Sequence, residues 1–193
     1  MRNPQSLLSA LTAASAALLI SACATGDATR PSEGGSTPPA AEKRAASTAK
    51  IDWAALQKEL SGALRGVQDA EVGEATADGI HLRIPVSNGF ASGGSEPRPA
   101  LTKVLDSLVA PLAARPGVGI KVIGHTDGLG SEMYNLKLSI QRAEAVMEYL
   151  RSRGIAFDRL SADGKGETEP IADNAKEATR ARNRRVEIVL RAI

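Results

Sequence analysis

The residues best suited to bind a ligand lie in a glycine-rich segment and in the helix predicted after it. The segment 124–130 has the sequence GHTDGLG and joins an apolar strand to that helix. Open sheets place ligand sites at such strand-to-helix junctions. Asp127 provides a carboxylate there, and the helix carries a polar row of Asn135, Ser139 and Arg142 at positions i, i+4 and i+7. We expect this row to line a cleft. The alternative for Arg142 is an exposed helix charge or an internal salt bridge to Asp127.

The sequence shows no motif for a phosphate-binding, calcium-binding, hydrolytic or zinc site. The segment 124–130 lacks the Lys-Ser or Lys-Thr of a phosphate-binding loop and the alternating acids of a calcium loop. His125 could form a hydrolytic pair with Asp127, but there is no Gly-x-Ser-x-Gly elbow, so a structural histidine is favoured. The chain has two histidines, His81 and His125, and one cysteine, Cys23, which argues against a zinc cluster or a disulfide framework. We therefore expect no metal, no cofactor and no enzymatic activity.

The composition predicts one core of aliphatic side chains. The chain has 193 residues, of which 42% are apolar and only 3% aromatic. Its 24 basic and 22 acidic residues give a net charge of +2, whereas a nucleic-acid binder would usually be more basic. The basic stretch 176–191 is accordingly interpreted as a solvated helix and an edge strand. No nucleic-acid partner is expected.

The first residues predict export. An apolar run at 7–20 follows a short positive start and is too short for a transmembrane helix, which needs about 20 apolar residues. The sequence ISAC at 20–23 resembles the bacterial lipobox, which implies a signal peptide at 1–22 and an acylated Cys23. The alternative is ordinary cleavage after Ala24, which would remove the cysteine. Because Ala24 is not the Asp typical of inner-membrane retention, the resemblance points to the outer membrane.

Two segments precede the main domain. Residues 23–50, after the cysteine itself, are dominated by Ala, Thr, Ser, Gly and Pro without periodicity, which predicts a flexible linker. Residues 51–79 predict a prefix of one helix, capped by Asp52 and ending near Gln68, and a hairpin that turns at the Asp-Gly pair 78–79. The apolar stripe of this helix could be a dimerisation face. Packing against its own domain is favoured.

The remaining residues, 80–193, predict an α/β domain in which a mixed sheet is covered by helices on one face. The apolar spacing after Pro97 predicts a helix that ends at the Pro-Gly pair 116–117, and a second, longer helix is expected at 131–153. Strands are expected at 80–84, 118–123, 159–162 and 186–190. The buried stripe of the second helix is predicted to be Leu136, Ile140, Ala143, Met147 and Leu150.

Five motifs in order resemble those of the OmpA C-terminal-like domain, the peptidoglycan-associated module. They are GHTD at 124–127, YN at 134–135, LS at 138–139, RA at 142–143 and NRRVE at 183–187. The match covers roughly residues 80–193, and the lipobox with its linker looks like the arrangement of peptidoglycan-associated lipoproteins. The resemblance implies a two-layer α+β sandwich with a βαβαββ-type mixed sheet.

The resemblance also implies a ligand. That family binds the diaminopimelate of the peptidoglycan stem peptide, whose free end carries an ammonium and a carboxylate on one carbon. Asp127 matches the aspartate that takes the ammonium, and Arg142 matches the arginine whose planar guanidinium takes the carboxylate. Thr126, Asn135 and Arg185 match supporting contacts. We expect the zwitterion to compete with, or separate, an Asp127–Arg142 pair.

Two positions depart from the family pattern. Ala91 follows Phe90 where Asp is frequent, so one supporting contact is expected to be missing. Thr179 stands where Gly is frequent, which would cost about 1 kcal/mol or more if that position had a positive φ.

The expected function is to tether the outer membrane to peptidoglycan through a lipid anchor, with the domain in the periplasm. The alternative is an envelope protein-docking module with a vestigial cleft, whose partner is a Tol-like or secretion-system component; the prefix 51–79 favours it. A wall hydrolase is the third possibility.

Overall fold

The computed structural model describes residues 50–68, 70–86 and 88–193. The predictions for residues 1–49, which include Cys23 and almost all of the linker, lie outside these ranges. Within them the chain forms a five-stranded sheet and four α-helices. The elements are α1 (Trp53–Ala63), β1 (Glu71–Val72), β2 (Ile80–Pro85), α2 (Pro99–Ala113), β3 (Val118–His125), α3 (Glu132–Ser152), a 3-10 turn (Phe157–Arg159), β4 (Leu160–Gly166), α4 (Glu177–Asn183) and β5 (Arg185–Ala192).

The strand order in the sheet is β1-β2-β5-β3-β4. Strand β5 pairs antiparallel with β2 and with β3, while β3 and β4 are parallel and are connected through α3. Strands β1 and β2 form the predicted hairpin. The mixed sheet with its helices confirms the α/β prediction. The prediction of an edge strand at 186–190 is wrong, because β5 is hydrogen-bonded on both sides and occupies the middle of the sheet.

A single apolar core joins the sheet to the helices. Alternate residues of β2, β3 and β5 face it, as the two-residue period of a strand requires. They meet leucines spaced three or four residues apart on α1 and α2. The main contributors are Ile80, Leu82, Ile84, Val118, Ile120, Val122, Val186, Ile188 and Leu190 from the strands, and Leu56, Leu60, Leu101, Leu105, Leu108 and Leu112 from the helices.

The prefix helix α1 is part of this core. Asp52 caps it, because its Oδ1 accepts a hydrogen bond from the backbone N–H of Ala55 at 2.9 Å. Leu56 and Leu60 are buried, and α1 packs against α2 as favoured by the sequence. The helix ends at Ala63, earlier than predicted; the chain then turns through Gly66, whose φ of 89° is incompatible with a right-handed helix.

None of the helices in the described ranges combines the length and the apolarity that crossing a bilayer requires.

Candidate functional site

A cleft of about 660 Å³ opens where β3 leads into α3. It contains four of the five predicted ligand-binding residues: Thr126, Asp127, Asn135 and Arg142. Asp127 lies in the loop after β3, and Asn135 and Arg142 project from α3, whose N-cap is Ser131. The structure therefore brings the two predicted ions into one cleft. Their contact with a ligand stays a prediction.

Asp127 is 8% exposed and forms an ion pair with Arg184, not with Arg142. Its Oδ2 lies 2.6 Å from Nη1 of Arg184, and its Oδ1 accepts a hydrogen bond from the N–H of Leu129 at 3.1 Å. The second terminal nitrogen of Arg184 binds the carboxylate of Glu177. Arg184 thus bridges two carboxylates at one side of the cleft.

Arg184 was not predicted, and Arg185 was predicted in its place. Arg185 is buried, but it lies away from the cleft: its Nε donates to Glu187 at 2.7 Å and its Nη2 to the carbonyl of Glu169 at 3.0 Å. Arg185 therefore does not line the cleft, and its contact with a ligand stays a prediction. Side chains alternate along a strand, so Arg185 shares the outer face with Glu187, whereas position 184 lies on the same side as the core residue Val186. This alternation was the available signal.

Arg142 is a buried cation whose partners are neutral. The side chain is 7% exposed; its Nε donates to the carbonyl of Gly94 at 2.9 Å and its Nη2 to that of Ala91 at 3.4 Å. The guanidinium carbon lies 5.0 Å from the centre of the Phe90 ring. Among the ion pairs of the described residues, none includes Arg142. It is thus neither an exposed helix charge nor paired with Asp127, the two alternatives considered from sequence.

The electrostatic surroundings of Arg142 agree with this geometry. Burial lowers the pKa of Arg142, Tyr134 and Asp127 oppose that shift, and Arg184 adds to it. A guanidinium nevertheless remains charged at neutral pH. The cleft therefore contains a desolvated positive charge that an incoming anion would compensate.

Two glycines allow α3 to lie close to the sheet at the cleft. A Cβ on Gly124 of β3 would lie 2.1 Å from the carbonyl oxygen of Ser139, and a Cβ on Gly164 of β4 would lie 2.4 Å from its Oγ. Because the helix approaches there, its polar row is buried and Leu136 is 37% exposed. The predicted buried stripe was correct for only part of the helix. The observed one is Asn135, Leu138, Ser139, Arg142, Ala143, Val146 and Leu150.

Asn135 and Thr126 shape the floor of the cleft. Nδ2 of Asn135 donates to the carbonyls of Asp127 at 3.3 Å and Leu129 at 3.1 Å, and to the carboxylate of Glu167. Asn135 therefore stabilises the loop that carries Asp127, and this role does not depend on whether Asn135 also contacts a ligand. The N–H of Thr126 donates to a carbonyl of β4, and its buried Oγ1 has no hydrogen-bond partner among the described residues.

His125 is separate from the cleft. It is 1% exposed, and its Nε2 lies 3.8 Å from a carboxylate oxygen of Glu187 on the neighbouring strand. Burial, together with the positive charge of Arg185, lowers the pKa of His125 to about 4. A neutral imidazole facing Glu187 provides no pair with Asp127 for hydrolysis. Nowhere in residues 50–68, 70–86 or 88–193 do three or more His, Cys, Asp or Glu side chains form a group able to hold a metal ion.

The structure shows the surroundings of Thr179 and Ala91, the two departures from the family pattern. Thr179 lies inside α4, so the expected penalty for a positive φ does not arise. Its Oγ1 accepts a hydrogen bond from the N–H of Lys176 at 3.3 Å and donates to the carbonyl of Lys176 at 2.8 Å. Ala91 contributes its carbonyl to Arg142.

Comparison with known proteins agrees with the resemblance to the OmpA C-terminal-like domain that the five sequence motifs indicated. The OmpA family matches residues 89–184, a range that contains Asp127, Arg142 and Arg184. A solved structure described as the cell wall anchor of the T6SS from Pseudomonas aeruginosa is 33% identical; the match covers 69% of this chain and 97% of that one, with a TM-score of 0.61. The chain belongs to the OmpA family.

Two relatives extend the OmpA-family comparison. The peptidoglycan-binding protein ArfA of Mycobacterium tuberculosis is 43% identical over 101 residues, which are 52% of this chain and 31% of that protein. The outer-membrane lipoprotein YfiB of Pseudomonas aeruginosa is 34% identical over 114 residues, 59% of this chain and 66% of that protein. The chain thus spans about a third of the length of the mycobacterial relatives.

Proposed function

We propose that this OmpA-family protein binds peptidoglycan noncovalently by holding the zwitterionic end of a diaminopimelate side chain between Asp127 and Arg142. The observation that carries the proposal is the state of Arg142. Its guanidinium is buried, and among the described residues it donates hydrogen bonds to two carbonyls, stacks on an aromatic ring and forms no ion pair. A buried charge without a counterion is unfavourable, so a ligand carboxylate that reaches Arg142 is stabilised by both attraction and geometry.

The ammonium of the same ligand would bind on the opposite side, at Asp127. Its carboxylate is already paired with Arg184, so the ammonium has to share or replace that partner. Arg184 retains Glu177 when it moves away from Asp127. The exchange therefore leaves no cation without a partner, which keeps its free-energy cost low.

The relatives support peptidoglycan as the ligand and the cell envelope as the location. One is named for peptidoglycan binding, one as a cell wall anchor and one as an outer-membrane lipoprotein. Together with the lipobox-like run at 20–23, they support an acylated Cys23 that anchors the chain in the outer membrane. In this arrangement the linker spans from the membrane to a periplasmic domain, which connects the membrane to the wall without catalysing a reaction.

A pull-down with purified sacculi tests the ligand. Asp127→Asn and Arg142→Gln should each weaken binding by roughly 2 to 4 kcal/mol, because each leaves one ion of the ligand without its partner. Arg65→Gln is the matched control, since Arg65 is exposed and lies outside the cleft. Sacculi with lysine in place of diaminopimelate should not retain the protein. Unchanged retention of both cleft variants would reject the proposal, and release of soluble muropeptides would indicate a hydrolase.

The docking alternative loses the feature that favoured it. The helix of the prefix is not a free segment, because Leu56, Leu60 and Leu64 are buried in the core of the domain. Deleting the prefix would therefore remove part of the core as well as any docking surface, so it does not test docking alone. Wall binding remains the function that the cleft supports best.

A further inference from the structure

We infer that Arg98 provides a second carboxylate-binding position in the same cleft and makes the domain select stem peptides that carry a second free carboxylate. This rests on the proposed function, because it concerns the same ligand. Arg98 stands immediately before α2 and lines the cleft that contains Asp127 and Arg142.

The backbone fixes where Arg98 begins. Its N–H donates to the carbonyl of Gly89 at 2.8 Å, and the preceding Pro97 pairs with Phe90 in an antiparallel bridge. This bridge closes a loop of residues 91–96, and that loop carries the two carbonyls that bind Arg142. The side chain of Arg98 therefore starts at the base of the loop whose carbonyls bind the guanidinium of Arg142.

The charges lining the cleft are not balanced internally. They comprise three guanidiniums, Arg98, Arg142 and Arg184, and two carboxylates, Asp127 and Glu177. Both carboxylates are bound to Arg184. In the described part of the chain, the side chains of Arg98 and Arg142 take part in no ion pair. The cleft thus presents one carboxylate cluster for an ammonium and two uncompensated cations for anions.

A ligand with one ammonium and one carboxylate satisfies Asp127 and Arg142 but leaves Arg98 uncompensated. A second carboxylate near the zwitterion would complete the match. In a diaminopimelate stem peptide it comes either from the α-carboxylate of the neighbouring γ-linked glutamate or from the carboxylate at the C-terminal end of the peptide. Both sources offer the same group to a guanidinium.

Synthetic tripeptides of alanine, γ-linked glutamate and diaminopimelate separate the sources. One peptide has both carboxylates free, a second carries an amide on the glutamate α-carboxylate, and a third carries an amide at the C-terminal end; titration calorimetry compares their affinities. Because Arg98 is exposed, the wild type should prefer the free peptide by about three- to fivefold over the one whose amide removes the partner of Arg98. The amide that lowers affinity identifies the source.

Arg98→Gln should bind all three peptides with equal affinity, and the control Arg65→Gln should keep the preference of the wild type. The inference is overturned if the wild type does not distinguish the peptides, or if Arg98→Gln distinguishes them as well as the wild type does. A wild type that binds none of the peptides rejects the proposed function, and the role of Arg98 with it. Binding by the wild type without discrimination rejects only the role of Arg98.

Discussion

Asp127 and Arg184 form an ion pair inside the cleft between β3 and α3, with 2.6 Å between Oδ2 and Nη1. The carboxylate expected to receive a ligand ammonium is therefore already occupied in the free protein. Arg184 also binds Glu177, so it connects α4 to the loop after β3. The pair therefore links two parts of the fold in the free protein, and a ligand ammonium would compete with it.

Arg184→Gln should destabilise the domain, because the mostly buried Asp127 loses its partner. We expect the free energy of unfolding to fall by about 1 to 3 kcal/mol, measured by urea denaturation. The double variant Asp127→Asn/Arg184→Gln should be more stable than the sum of the two single losses predicts. Arg151→Gln, which breaks an exposed pair with Glu148 on α3, should change stability little. Additive single and double effects would show that the pair contributes nothing.

Gly124→Ala should both destabilise the protein and weaken its binding to sacculi. The new Cβ would collide with the carbonyl of Ser139, 2.1 Å away, and displace the helix that carries Arg142. We expect a loss of roughly 1 to 3 kcal/mol in unfolding free energy. Gly62→Ala is the control: it lies in α1, no described atom beyond its chain neighbours and the nearby helix backbone lies within 4 Å of the new Cβ, and it should gain about 0.5 to 1 kcal/mol. If Gly124→Ala matches the wild type, close packing is not required.

Asn135→Asp should lower stability as well as binding. The substitution places a carboxylate against Glu167 and against the carbonyls of Asp127 and Leu129, which now accept from Nδ2. A loss of about 1 to 3 kcal/mol is expected in chemical denaturation at pH 7. Gln141→Glu makes the same amide-to-acid change on the exposed side of α3 and should be nearly neutral. A fully stable Asn135→Asp that fails to bind sacculi would instead make Asn135 a ligand contact alone.

The burial of His125 should make the domain sensitive to mild acid. The unfolded chain takes up a proton at this side chain below about pH 6.5, whereas the folded protein holds the pKa of His125 at about 4. Stability should therefore fall as the pH is lowered from 6.5 to 4, by roughly 3 kcal/mol in total, and this contribution levels off below pH 4. Urea denaturation across this range should show a smaller slope in His125→Gln than in the wild type. Equal slopes in His125→Gln and in the wild type would contradict the assignment.

Cys23→Ser should release the protein from the membrane fraction, because a multiply acylated cysteine is an effectively permanent anchor. Fractionation of cells that express the full chain measures this. Ala24→Asp should keep the anchor but shift the protein to the inner membrane, following the sorting pattern implied by the lipobox resemblance. Retention of Cys23→Ser in the membrane fraction would show that the lipid assignment is wrong.

Much of the fold followed from local patterns, whereas the details of the cleft did not. The alternation around Ile80 to Ile84 and the long helix expected at 131–153 depend on neighbouring residues and were predictable. The buried face of α3 was not, because Ser139 is buried by the close approach of a helix to Gly124 and Gly164, which are distant in the sequence. The central position of β5 likewise depends on strand order, which the alternation of Val186 and Ile188 does not encode.

The choice between Arg184 and Arg185 had a different cause. The motif NRRVE made either arginine a candidate, and the resemblance to the family favoured Arg185, whereas Arg184 lines the cleft. Alternation along β5 separates them, because Arg185 shares the face of Glu187, whereas position 184 falls on the opposite side.

The orientation of Arg142 depends on main-chain oxygens of the loop 91–96. Every amino acid supplies such an oxygen, so the loop can change its side chains and still hold the guanidinium in the same direction. This accounts for Ala91 where the family pattern often has Asp: the substitution omits an acid but preserves the acceptor. Side-chain substitutions in residues 91–96 should therefore leave the direction of the Arg142 guanidinium unchanged.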